Sequence, residues 1–157
     1  SILLLQGLPA KLGPTVADLG AGWGYLAHAI LPDTSVTTLH LVEAEKRALD
    51  CARLNAPDNR VQFHWADARN WGKTGTIDTV VMNPPFHEGR KGDPSMGVSF
   101  IQRAPDLLKP KGQLFLVANR HLPYETHLKA SFRDLADLGG DRSYKVFRAT
   151  RPRQPKV

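Results

Sequence analysis

The chain has 157 residues, 41% of them apolar and 23% charged, which is room for one core and excludes a disordered tail or a fibrous repeat. Its 21 Lys and Arg outnumber 15 Asp and Glu for a net charge of +6, and the excess is lopsided: residues 1–86 carry 7 basic and 8 acidic groups (−1), residues 87–157 carry 14 and 7 (+7). The longest apolar runs, residues 2–5 and 114–118, fall far short of the roughly 18 residues that cross a bilayer, and neither has the context of a secretory signal, so no membrane contact and a cytoplasmic location are expected.

The chain opens at Ser1 inside an apolar stretch that reads as the end of a helix, as expected of a domain excised from a longer protein. A strand is predicted over Thr15–Leu19, ending in Gly20-Ala21-Gly22-Trp23-Gly24, with a helix over 25–31 that Pro32 stops. A second strand (36–42) and helix (44–55) follow, the helix carrying Ala44, Ala48, Leu49, Cys51 and Ala52 near helical spacing. Cys51, the single cysteine, has no partner for a disulfide or a zinc site; it is expected to fill a helix face as a small apolar residue, and no metal is expected. Further strands are predicted over Val61–Trp65, Ile77–Met82 and 113–118, with helices near 98–108 and 124–132; Pro105 should kink or restart the first of these. Two last strands, 132–138 and 143–150, are joined through Gly139-Gly140-Asp141. This alternation predicts an α/β fold: a mostly parallel sheet with helices on both faces and an antiparallel pair at the end. Ligands of such sheets bind beyond the carboxyl ends of the strands.

Four groups fall at those ends. The glycine cluster after Asp18 lets the backbone turn sharply beside a ligand, but its G-x-G-x-G spacing is not the dinucleotide fingerprint G-x-G-x-x-G, and no Lys-Ser or Lys-Thr follows to make a phosphate-binding loop. Glu43 ends the second strand, where a carboxylate can accept hydrogen bonds from both hydroxyls of a ribose; the alternative is a carboxylate favoured by the following helix dipole. Asp67 follows the third strand and can accept from an adenine amino group or cap a helix. Asn83-Pro84-Pro85-Phe86 closes the fourth strand. Its prolines fix φ, the Asn83 side-chain oxygen and the Pro84 carbonyl are two acceptors able to hold one planar amino group, and Phe86 offers a flat face to an aromatic base; a plain turn is the alternative.

The order of Asp18 to Gly24, Glu43, Trp65-Ala66-Asp67-Ala68 and Asn83 to Phe86 resembles the class I S-adenosylmethionine-dependent methyltransferases, over nearly the whole chain. More narrowly, Ser1-x-Leu3-Leu4-Leu5, Asn83-Pro84-Pro85-Phe86-His87-x-Gly89, Val117-Ala118-Asn119, Leu122-Pro123-Tyr124 and the segment 144–149 are similar to the C-terminal domain of ribosomal RNA small subunit methyltransferase C, a family acting on the exocyclic N2 of guanine. The resemblance implies a Rossmann-like seven-stranded sheet, S-adenosyl-L-methionine as cofactor, ribosomal RNA or the small ribosomal subunit as partner, and an N-terminal degenerate copy of the fold that this chain lacks. It implies that Asp18, Gly20, Gly22 and Gly24 cradle the methionine part of the cofactor, Glu43 holds the ribose, and Asp67 with Ala68 holds the adenine against Ala44. Asn83 and Pro84, with Pro85, would hold the guanine amino group and Phe86 would stack on the base; His87 either touches base or RNA or only caps a turn.

Arg90, Lys91, Arg120 and His121 could meet phosphate on the same side as the pocket, and the tail carries Arg151, Arg153 and Lys156. Asn-Pro-Pro also serves enzymes that methylate adenine N6 or a protein glutamine amide, because all three acceptors are planar NH₂ groups. The basic second half leans toward RNA. A catalytically silent RNA-binding copy of the fold would be expected to lose the glycines, Glu43 or the Asn83 motif, and this chain keeps them.

Overall fold

The computed structural model of the chain describes residues 8–9, 11–84 and 95–153. The expectations on residues 1–5, Pro85, Phe86, His87, Gly89, Arg90, Lys91 and Lys156 lie outside the described residues. Seven strands, β1 (Thr15–Leu19), β2 (Thr38–Glu43), β3 (Val61–Trp65), β4 (Ile77–Met82), β5 (Leu108–Asn119), β6 (Phe132–Gly140) and β7 (Tyr144–Pro152), form one sheet in the order β3-β2-β1-β4-β5-β7-β6. The first five run parallel and β7 is antiparallel to both β5 and β6, as the alternation of apolar runs and helical spacing implies. Four helices are described: α1 (Ala27–Ile30), α2 (Lys46–Asn55), α3 (Ser95–Leu107) and α4 (Tyr124–Ser131).

Because side chains alternate across a strand, the sheet feeds two cores. On one face Leu39, Leu41, Val81 and Phe115 meet Ala27 and Ile30 of α1 and Ala52 of α2. On the other Val42, Val80, Met82 and Leu114 meet Phe100, Ile101 and Ala104 of α3 and Leu128 of α4. Each fully buried Leu or Ile contributes roughly 1.5–3 kcal/mol by leaving water, so these two layers hold the strand ends in line. The register aligns Leu19 with Val42 and Met82, and Glu43 with Trp65, which brings residues 20, 44, 66 and 83 to one end of the sheet.

Several elements depart from expectation. Cys51 is exposed rather than packed: the buried stripe of α2 runs through Leu49 and Ala52, and a residue one position before Ala52 is rotated about 100° away from it. Ala44 precedes that helix instead of opening it. Pro105 neither splits nor restarts α3; it is buried in the last turn, and the helix stops two residues later. Strand β5 begins at Leu108, but its pairing with β4 skips from Leu108 to Gln113, so only the predicted part is regular ladder. Gly139 and Gly140, with φ +100° and +139°, belong to β6, and the turn comes after them, where Asp141 accepts from the Ser143 and Tyr144 amides. Between β3 and β4, where no helix is predicted, none forms. Gly72 and Gly75, at φ +88° and +69°, break the segment, and Trp71 instead covers His40 and His64, its ring 5.0 Å from each. The Arg103 guanidinium of α3 donates to the Trp71 and Gly72 carbonyls, tying this segment to the helix.

No helix among the described residues is long and apolar enough to cross a membrane. The α3–α4 contact is tight enough that a Cβ on Gly97 would lie 2.0 Å from the Tyr124 hydroxyl oxygen. Gly97→Ala is therefore expected to destabilise the fold by at least about 1–3 kcal/mol, measured by urea unfolding; an unchanged midpoint would mean that the two helices do not pack at this distance.

Candidate functional site

The glycine turn after β1 is held by its neighbour strand. The Gly20 and Ala21 amides both donate to the Val42 carbonyl at 2.9 and 3.0 Å, and the Gly22 amide donates to Glu43 Oε1 at 2.8 Å. Gly22 and Gly24 sit at φ +59° and +90°, conformations that a side chain would strain, and at Gly24 a Cβ would press on Ala52 of α2 at 3.2 Å. The Asn55 side chain at the end of α2 donates to the Trp23 carbonyl, fixing the far side of the turn.

Beneath the turn lies a buried carboxyl with one unsatisfied oxygen. Asp18 in β1 is 1% exposed, and no hydrogen bond reaches its Oδ2 among the described residues. Burial, and then the negative charge of Glu43, pushes its pKa from 3.8 up to about 7. Glu43 itself accepts from the Gly22 amide on Oε1 and from the Glu45 amide on Oε2, each at 2.8 Å. A carboxylate offers about four acceptor directions, so among the described residues roughly one remains free on each oxygen of Glu43, an arrangement suited to two vicinal hydroxyls.

Asp67 is in the opposite condition. The Arg69 backbone amide and Nε reach Oδ1 at 2.9 Å each, and Nε and Nη2 reach Oδ2 at 3.0 and 2.5 Å. All its acceptor directions are taken, and the Arg69 contacts hold its carboxyl below the usual carboxylate range. The adenine amino group expected at Asp67 therefore has to displace Arg69. That competitor is the feature that sequence reasoning missed: a charge two residues from an Asp is common, and nothing in the spacing sets it on the carboxylate.

Gly20, Glu43, Ala44, Asp67, Ala68 and Asn83 line one cavity of about 430 Å³, together with Val42, Glu45, Ala66, Arg69, Met96 and Phe100. Asp18 lies under it, while Gly22 and Gly24 shape the turn without lining it. Asn83 is exposed at the end of β4, with Pro84 buried behind it, and no hydrogen bond among the described residues engages its side chain. Met96 and Phe100 form the apolar wall that α3 supplies, and no local motif marks them. A larger cavity of about 600 Å³, beside Lys11, Lys109 and Lys111 at the opposite end of the sheet, contains none of the predicted residues and is lined in part by the Lys109–Asp78 ion pair. Arg120 lies away from the 430 Å³ cavity wall, its Nε donating to the Asp141 carbonyl. In the tail, Arg151 pairs with Asp134.

A carboxyl whose folded pKa is raised stabilises the fold fully below its unfolded value and loses that contribution as pH rises through the folded one. With values of 3.8 and about 7, Asp18 costs the unliganded chain stability as pH climbs from about 4 to about 7, on the order of 4 kcal/mol in full, and the loss levels off above that. Asp18→Asn stays neutral, so its melting temperature should exceed the parent's at pH 8 and converge with it near pH 4. Parallel melting profiles for the two proteins across that range would contradict the buried-charge account.

The family model described as Methyltransferase small domain matches residues 1–148. Among curated relatives, the ribosomal RNA small subunit methyltransferase C of Shewanella sp. (strain MR-4) is 32% identical over 146 residues, covering 92% of this chain and 42% of that protein. The protein of the same name from Hahella chejuensis is 32% identical over 151 residues, with coverage of 95% and 44%. Among solved structures, the T. thermophilus 16S rRNA N2 methyltransferase in complex with AdoMet and guanosine superposes with a TM-score of 0.77 at 28% identity, over 96% of this chain and 42% of that one. The chain thus spans less than half the length of these relatives. With the family model matched along almost its entire length, the chain belongs to the methyltransferase small domain family.

Proposed function

We propose that the chain is the cofactor-binding, catalytic domain of an rRNA methyltransferase that modifies the exocyclic N2 of a guanine, with S-adenosyl-L-methionine as methyl donor. The observation that carries this reading is the cavity itself: Asn83, whose side chain no hydrogen bond engages among the described residues, on the same wall as Glu43 and Gly20. The residues present fit the cofactor on chemical grounds. Among the described residues Asp18 Oδ2 is buried without a partner beneath a cradle that already carries Glu43, so the end of the cavity under the glycine turn favours a cation, and Glu43 keeps two acceptor directions for a ribose diol. Gly20 and the turn would hold the methionine end, Glu43 the ribose, and Ala44, Asp67 and Ala68 the adenine. When bound, S-adenosyl-L-methionine supplies an electrophilic methyl group on a sulfonium.

The lone pair of an aromatic amine is delocalised into its ring, so the amine is a weak nucleophile. By accepting its two N–H groups, Asn83 Oδ1 and the Pro84 carbonyl would fix its orientation and favour the geometry in which that lone pair points out of the ring plane. Such positioning contributes several kcal/mol, up to about 7–11 when alignment is ideal. No strong base is required, because the proton becomes acidic once the nitrogen carries the new methyl group.

Guanine over the other planar NH₂ acceptors is supported by the guanosine complex of the T. thermophilus relative, and RNA by the +7 charge of residues 87–157. The remaining length of the relatives leaves room for the N-terminal degenerate copy expected from the resemblance, and cytoplasm is the compartment where ribosomal RNA would be met. The deciding experiment is methylation of ribosomal RNA from a strain lacking the gene, using the full-length protein, labelled cofactor and mass spectrometry of the digested nucleosides. N2-methylguanosine is expected; N6-methyladenosine, or label in protein alone, would overturn the substrate.

Asn83→Ala should lower turnover by about 100-fold or more while calorimetry shows cofactor affinity within twofold of the parent; an active Asn83→Ala protein removes the central assignment. Arg69→Met frees Asp67, and because exposed ion pairs are weak, cofactor affinity should rise by only a factor of a few. A weaker affinity would instead make Arg69 part of the cofactor's own contacts.

A further inference from the structure

Phe100 of α3 lines the 430 Å³ cavity, yet it is only 6% exposed and belongs to the core cluster that holds Leu19, Val42 and Met82. Its ring is therefore fixed by packing. The ring also reaches the glycine turn: a Cβ built on Gly20 would lie 3.1 Å from Phe100 Cε2 and 4.0 Å from Cζ, so the far end of the ring lies against the backbone there. Leu19 of β1 is aligned with Met82 of β4, and the residues that follow them are Gly20 and Asn83. Phe100 thus stands where the glycine turn and Asn83 meet.

The charges of the cavity are unevenly placed. Glu43, Glu45, Asp67 and Arg69 all stand at or just beyond the ends of β2 and β3, while Gly20, Asn83 and Phe100, which line the side at the ends of β1 and β4, carry none. Asp18 lies beneath the turn and outside the lining. A positive centre between Gly20 and Asn83 would therefore meet no carboxylate in the wall itself. Phe100 offers another attraction there, because the faces of an aromatic ring are negative and draw a cation more strongly when the site is out of water. A methyl group that passes from the methionine end of the cofactor, placed at Gly20, to an amine held at Asn83 has to start between those two residues, beside this ring.

We propose that Phe100 recognises the positive charge of the cofactor: its ring contacts the sulfonium, and so favours the charged methyl donor over the neutral thioether that transfer leaves behind. This rests on the cofactor placement proposed above and is independent of which NH₂ group receives the methyl. Donor and product share their adenosine and amino-acid ends and differ only in one methyl group and its charge, because the electron pair of the broken S–C bond stays on sulfur. Hydrogen bonds to Glu43 or Asp67 do not distinguish the two, and a purely apolar wall would hold both about equally. A ring that responds to the charge supplies the discrimination and releases its hold once the methyl group has gone.

The test is calorimetry on the full-length protein, giving Kd for S-adenosyl-L-methionine and for S-adenosyl-L-homocysteine side by side. Fluorinated phenylalanines introduced at position 100 nearly keep the shape of the ring while draining negative charge from its faces. With increasing fluorination the Kd of the methyl donor should rise, by about fivefold or more at the highest substitution, with the Kd of the thioether staying within about twofold. Phe100→Leu, which keeps an apolar side chain and loses the ring, should lower the preference for donor over product by a similar factor. Equal weakening of both ligands overturns the proposal and makes Phe100 a wall for the adenosine that they share; unchanged affinity for both overturns it by removing the contact. A parent protein that binds neither ligand defeats the cofactor placement itself, whereas a parent that binds both with a preference that fluorination leaves untouched defeats only the role given to Phe100.

Discussion

Glu43 is the joint on which the site turns. One carboxylate accepts the Gly22 amide from the turn after β1 and the Glu45 amide ahead of α2, so a single side chain sets the distance between two neighbouring strand ends. The Val42 carbonyl reinforces it by accepting both the Gly20 and Ala21 amides. Charge-assisted hydrogen bonds from backbone donors to a carboxylate are stronger than neutral ones, and these shape the cradle before any ligand arrives. The same carboxylate places negative charge near Asp18, so the contact that organises the turn also raises the cost of the buried acid below it. Such an arrangement is unfavourable by itself and becomes reasonable where a cationic ligand is to be bound.

Much of this was legible in the sequence, for a physical reason. The β-branched and apolar runs of β1, β3 and β4 are short, bounded by glycine, proline or polar clusters, and Thr15–Leu19, Val61–Trp65 and Ile77–Met82 match the expected spans. Once strands are parallel and consecutive, every residue that follows a strand falls at the same end of the sheet, which is why Gly20, Glu43, Ala44, Asp67, Ala68 and Asn83 converge on one cavity despite their separation in the chain.

What was not legible depends on side-chain geometry or on long-range packing. Met96 and Phe100 reach the cavity because α3 crosses the sheet above it, a tertiary fact with no local pattern. Arg69 on Asp67 is a rotamer choice. Cys51 was misplaced because two small apolar neighbours, Cys51 and Ala52, compete for one helix face and only packing against the sheet decides between them. The extra length of β5 is a bulge around Lys109 to Gly112, where the proline and glycine would ordinarily argue against a strand.

The bare segment between β3 and β4 has a mechanical consequence. Asp67 and Ala68, which form one wall of the cavity, stand on turns and not on a helix, and their support comes from outside, through Trp71 packed on His40 and His64 and through Arg103 gripping the Trp71 and Gly72 carbonyls. Arg103 belongs to the same helix as Met96 and Phe100, which form the facing wall. Two walls of the cavity thus rest on one helix, so a substitution that displaces α3 would disturb the Asp67 side as well as the Met96 side.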